Sequence, residues 1–91
     1  MVYEYNTYKH HSTNNTFADK TSPGLFAGIC INTAGAAANT ITVYDALSAT
    51  NPVAIFDGTV KGCYFLNVAM LTGITVVSAT GTAADFTIFL R

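Results

Sequence analysis

From Leu25 onward the chain alternates short β-branched and aromatic runs with clusters of Gly, Ala, Asn, Asp and Pro, which is the rhythm of strands and turns. A period of two is clearest where Ile41 and Val43 alternate with Thr40, Thr42 and Tyr44, and where Phe86, Ile88 and Leu90 alternate with Thr87 and Phe89. The pattern predicts six strands, over 25–33, 39–46, 52–57, 60–70, 73–79 and 84–91. One face of each enters a core. The alternation nominates Ile29, Ile31, Ile41, Val43, Val53, Ile55, Ile74, Val76, Phe86 and Ile88, with Leu66 and Val68 from the fourth strand. Tyr64 and Phe65 are neighbours and point opposite ways, so one belongs to the core and the other to the surface or an interface.

The punctuation agrees with this reading. Pro52 opens its strand, where a missing N–H does least damage, and Asp57-Gly58 favours a hairpin turn joining the third and fourth predicted strands. The run TAGAAAN, 33–39, has helix-favouring alanines, but it is short and bracketed by Gly35 and Asn39, so it reads as a loop. Gly35, Ala37 and Ala38 lead into one strand much as Gly81, Ala83 and Ala84 lead into another, an echo that two similar loops explain without a repeat architecture. The expected fold is all-β: a small antiparallel β-sandwich or jelly roll.

Residues 1–22 look different. They hold four of the nine charged residues, both histidines, three of the five tyrosines and the polar stretch HHSTNNT, with no apolar period. The segment 1–23 therefore reads as an extended N-terminal arm ahead of a sandwich domain over 24–91. An isolated arm has no core for Tyr3, Tyr5, Tyr8 and Phe17, which makes them candidate anchors in a partner's groove. Tyr3 and Tyr5 share the spacing of one strand face, as in a segment that adds to a neighbour's sheet edge. The competing expectation is that the arm folds back on its own domain as another strand.

Composition changes the picture in one respect. Charged residues are 10% of the 91, against about 25% in an average domain, while 51% are hydrophobic. Such a surface is better explained if neighbours cover much of it, so a homo-oligomer is expected. The length allows one domain. Net charge is −1, and Lys9, Lys20, Lys61 and Arg91 are scattered, which argues against nucleic acid as a partner. The N-terminal MVYEYNTYKHH is polar where a signal peptide needs an apolar run, and no run approaches a membrane span, so the chain is expected to be cytosolic when made and without a membrane partner. Asn14 heads an N-x-T sequon that is idle without export. Cys30 and Cys63 lie on strands without a CxxC spacing and read first as small buried thiols, second as a disulfide.

No chemistry-bearing pattern emerges. Glu4, Asp19, Asp45, Asp57 and Asp85 are mostly at arm or turn positions, and nothing pairs two of them as acid and base. His10 and His11, adjacent on an extended segment, point to opposite sides and read as solvated arm residues. There is no G-x-S-x-G elbow, no G-x-G-x-x-G and no P-loop. The expectation is a non-enzymatic protein with no catalytic, cofactor or metal residues.

The segment GLFAGICINTAGAAANTITVYDALSATNPVAIFDGTV, with LTGITVVSATGTAADFTIFLR, resembles the small β-sandwich structural proteins of tailed bacteriophage virions over about three quarters of the chain. The likeness is carried by the strand ending in Asn32-Thr33-Ala34-Gly35, by Ile41-Thr42-Val43-Tyr44-Asp45 before the Ser48-Ala49-Thr50 loop, and by the Gly-Thr-Ala-Ala-Asp lead into the last strand. The resemblance implies a jelly-roll-like protein made in the host cytoplasm and carried on the virion, often as a homotrimer. Its role would be a capsid cement or decoration protein bound to the major capsid or other virion proteins. Alternatives are a tail or neck adaptor, a fibre component, or a receptor- or glycan-binding tip, for which Tyr44-Asp45 and Asn51 are the nearest match. The tyrosine-rich segment lies outside the likeness.

Overall fold

The computed structural model describes residues 6–91, folded as a sandwich of two four-stranded antiparallel sheets. The strands are β1 (Thr7–His11), β2 (Asn15–Lys20), β3 (Gly24–Thr33), β4 (Thr40–Tyr44), β5 (Pro52–Asp57), β6 (Gly62–Met70), β7 (Ile74–Ala79) and β8 (Asp85–Leu90). One sheet has the order β1-β8-β3-β6 and the other β2-β7-β4-β5. First pairs with eighth, second with seventh, third with sixth and fourth with fifth. This is a long hairpin rolled into two layers, the eight-stranded jelly roll.

All six strands predicted from Leu25 onward are present, within two residues at each end. The segment read as an arm is different. Residues 7–11 and 15–20 are β1 and β2, an outer strand in each sheet, so a boundary near 23 divides nothing in the fold. These strands escape a search for apolar alternation because an edge strand that covers little core can be polar along most of its length: β1 reads TYKHH and β2 NTFADK. Its pairing partners, β8 and β7, carry the apolar signal instead.

The core lies between the sheets. Ile29, Ile31, Ile41, Val43, Ile74, Val76, Phe86 and Ile88 are buried as the alternation predicts, joined by Phe26, Met70, Ala84 and Leu90, with Leu66 and Val68 packed at its margin. Val53 and Ile55 are the exception. They point outward, Ile55 69% exposed, and β5 turns Phe56 inward against Phe26 and Tyr64. A register shift between Val43 and Tyr44 accompanies this pairing. With a side-chain period of two, a choice between adjacent apolar residues reverses the whole strand, and the larger phenylalanine takes the core.

Asp57 does start a tight turn, with its carboxylate accepting from the Thr59 N–H at 2.9 Å, but the turn crosses from one sheet to the other and makes no hairpin. Gly58 is there for close approach: a Cβ would collide with the side chain of Asn39. The loops of the Gly-Ala echo meet each other, Ala36 and Thr82 exchanging two backbone hydrogen bonds of 3.0 Å. Cys30 and Cys63, read first as separate thiols, are directly opposite on β3 and β6, with Cα atoms 4.0 Å apart, and form a disulfide. Strand pairing brings them together from 33 residues apart.

Closing a loop of that length stabilises the fold by about 3–4 kcal/mol on the chain-entropy account. Reduction, or Cys30→Ser with Cys63→Ser, should lower the urea midpoint accordingly; an unchanged midpoint would show that strand pairing alone carries this stability. Asn39→Ala should cost at least ~2 kcal/mol in the same measurement, because Asn39 is fully buried and its removal strands the Ala84 N–H.

Candidate functional site

The sequence-derived anchors separate in the structure. Tyr3 and Tyr5 lie outside the described residues. Tyr8 is 68% exposed on the outer face of the β1-β8-β3-β6 sheet. Phe17 is no partner anchor: it lies half-buried between the sheets, stacked on His11 with ring centroids 3.6 Å apart and edge-on to Phe86.

Around Tyr8 a row forms across all four strands of its sheet. Tyr8 is opposite Phe89, Phe89 opposite Gly28, and Gly28 opposite Phe65. Ile88 and Ile29 beside them are buried, so the row faces outward. Gly28 sits at φ 153°, and a Cβ there would press on Phe65. Without one, the Phe65 and Phe89 rings meet across the strand at 5.8 Å between centroids. The result is an exposed aromatic strip. Alternation in the last strand already turns Phe89 outward, and Phe65 is the outward member of the Tyr64–Phe65 pair, but Tyr64, which packs on Phe56, is itself 41% exposed, so neither of the two is a core residue. What the sequence could not supply was the register that aligns them with Tyr8.

A polar group occupies the neighbouring rows of this face. The His10 Nε2–H donates to Asp85 Oδ1 at 2.7 Å, and Asn32 Nδ2 donates to the same oxygen and to Thr87 Oγ1, both at 3.1 Å. The disulfide borders it, since Cys30 is opposite Thr87. Hydrogen bonds from His10 and then Asn32 hold the Asp85 carboxyl below the usual value.

His11 points inward, as neighbouring positions on a strand must, and neither histidine is merely solvated. The His11 Nε2–H lies 2.8 and 2.9 Å from the two oxygens of Asp19, joining β1 to β2 across the sandwich. Burial pushes the Asp19 carboxyl up, opposed by the hydrogen bond and charge of His11 and by the charge of Lys9. The Tyr44-Asp45-Asn51 group is occupied structurally. Asp45 accepts from the backbone N–H groups of Leu71, Thr72 and Gly73, which lower its pKa, and Asn51 donates to the Asp45 carbonyl. Asn14 of the sequon donates to the Gly81 carbonyl at 2.9 Å.

Among the described residues, no group of three or more His, Cys, Asp or Glu is placed to hold a metal ion. No family model, curated protein or solved structure matches the chain.

Asp85 and Asp19 should move stability in opposite directions with pH. Asp85, with a lowered pKa, contributes stability that is present above 3.8 and is lost as pH falls through its folded value. Asp19, with a raised pKa, contributes stability fully present below 3.8 and lost as pH rises through its folded value. Urea midpoints across pH should therefore show the wild-type advantage over Asp85→Asn shrinking in acid, and that over Asp19→Asn growing. Parallel curves for wild type and both variants would contradict these assignments.

Proposed function

We propose that this chain is a non-enzymatic virion structural protein of the capsid cement or decoration type, which binds shell subunits through the outer face of the β1-β8-β3-β6 sheet. The observation that carries the reading is the aromatic row Tyr8, Phe89 and Phe65, spread across a sheet face on which the Asp85 carboxylate is already engaged by hydrogen bonds from His10 and Asn32. Aromatic anchors on a surface poor in free charge are what the core of a protein interface requires. The jelly roll accords with the resemblance to phage β-sandwich proteins, and the low charge of the chain accords with a surface covered in its working state.

The face, and not a detachable arm, is what should be tested. Deleting 1–22 would remove β1 and β2 from both sheets and destroy the fold along with any binding. In phage particles encoding this chain, Tyr8→Ala or Phe89→Ala should reduce occupancy on purified virions about tenfold or more, with the wild type present in a multiple of sixty copies. Six or twelve copies would assign it to the tail or neck. Absence from particles would overturn the reading.

The polar group His10, Asp85, Asn32 and Thr87 beside Tyr8 and Phe89 favours one second reading, a glycan-binding tip, with sugar rings stacked on the aromatics and hydroxyls on the polar side chains. A glycan array without signal above background would remove it.

A further inference from the structure

The Cys30–Cys63 disulfide lies on the same outer face as the aromatic row, one row further along. Cys30 is opposite Thr87, which is opposite His10, and Cys63 stands two residues before Phe65. The two sulfurs differ in access. Cys30, on the inner strand β3, is 9% exposed, while Cys63, on the outer strand β6, is exposed. A thiolate attacks a disulfide sulfur from the side opposite its partner, so access decides which sulfur reacts. Attack on Cys63 comes from beyond β6, the open edge of the sheet, whereas attack on Cys30 comes from the side of β8, across Thr87.

The stretch of β6 that carries Cys63 has few other ties. A bulge interrupts the β3–β6 pairing where one residue, Ala27, stands against two, Leu66 and Asn67, so residues 62–65 form a short ladder of their own. As the last strand of its sheet, β6 pairs on one side only. Two of these four residues turn inward. Gly62 has no side chain to bury, and Tyr64 packs on Phe56 yet stays partly exposed, while Ile29 and Ile31 opposite them are fully in the core. The disulfide is the covalent tie that holds this stretch to β3.

We propose that Cys30 and Cys63 form a reversible redox clasp, opened by low-molecular-weight thiols at Cys63 and closed by low-molecular-weight disulfides, whose state sets the place of Phe65 in the aromatic row. In opening, a thiolate bonds to the Cys63 sulfur, the S–S bond breaks, and its electron pair leaves on Cys30, which takes up a proton. A second thiolate then attacks the small-molecule sulfur of the mixed disulfide and releases Cys63 as a thiolate. Two small thiols are thereby oxidised to one disulfide as the protein disulfide is reduced to two thiols, and closing is the reverse. With the clasp open, residues 62–65 are held by a short edge ladder and one partly exposed tyrosine. They fray, and the contact between Phe65 and Phe89 goes with them. Control of partner binding by this clasp rests on the shell reading; the redox site itself does not.

Dithiothreitol should reduce the wild-type chain without denaturant, at a rate within about tenfold of that for the chain unfolded in urea. Nuclear magnetic resonance on the reduced chain should lose the ring-proton contacts between Phe65 and Phe89 and keep those between Phe26 and Phe56. With glutathione disulfide as the probe, the Cys63 left by Cys30→Ser should form a mixed disulfide at least about ten times faster than the Cys30 left by Cys63→Ser. Reduction only after unfolding, a Phe65–Phe89 contact that survives reduction, loss of both ring contacts together, or a Cys30 as reactive as Cys63 would each overturn the proposal. Virion occupancy separates it from the shell reading. Occupancy that falls with Tyr8→Ala but not with Cys30→Ser plus Cys63→Ser would sink the clasp's control of binding alone. A chain absent from virions, with the three solution results as expected, would sink only the shell reading.

Discussion

One buried amide holds the connecting loops of the jelly roll together at one end. The chain crosses between sheets there at the β1–β2, β3–β4, β5–β6 and β7–β8 links, and Asn39 touches all four. Its side-chain nitrogen faces Asn14 Oδ1 and the carbonyls of Ala79 and Thr80, its side-chain oxygen accepts from the Ala84 N–H, and its own carbonyl accepts from the Gly58 N–H. The Gly58 carbonyl in turn takes the Gly35 N–H. Loops carry backbone groups that no ladder satisfies, and at a buried loop junction each must find a partner or cost stability. A single asparagine, with both donors and an acceptor in one rigid plane, meets several at once. The two residues before it, Ala37 and Ala38, sit at φ 55° and 63°, a left-handed conformation alanine otherwise avoids.

The opposite end has a counterpart in Asp45, whose carboxylate gathers three consecutive backbone N–H groups of the β6–β7 link from the start of the β4–β5 loop. Between the two ends, the lateral edges complete the contrast. Titratable side chains and the His11–Asp19 pair finish the β1/β2 edge. The β5/β6 edge is finished by aromatic contact between Phe56 and Tyr64 and remains partly open. Polar anchors fix the fold on three sides, and the fourth is left to apolar surface.

The legibility of this fold in the sequence follows the same division. Strands with one buried face announced themselves by alternation, and β3, β4, β7 and β8 supplied most of the core residues correctly. The edges did not. β1 and β2 are polar enough to resemble an arm, β5 offered two adjacent apolar choices, and the Asp57-Gly58 turn has the same local chemistry whether it makes a hairpin or a crossover. Each of these depends on pairing between residues distant in the chain, as in Thr7 with Leu90. The aromatic face was half legible: exposure of Tyr8, of Phe89 and of one of Tyr64 and Phe65 followed from local pattern, while their alignment into a row needed the register of three strand pairs.

The absence of core signal in β1 has a functional side. Because β1 contributes almost nothing inward apart from His11, its outward positions are free to be chosen for contact, and Tyr8 and His10 both lie there. Phe65 makes the same point at the opposite margin, since β6 turns only partly buried residues inward. Between them, Phe89 rides on a strand buried on its other face and is held firmly by Ile88 and Leu90. The row therefore joins two strands with little core duty to one anchored at the centre. A rigid aromatic platform results because the centre fixes its position, while the edges can be varied at little cost to the fold.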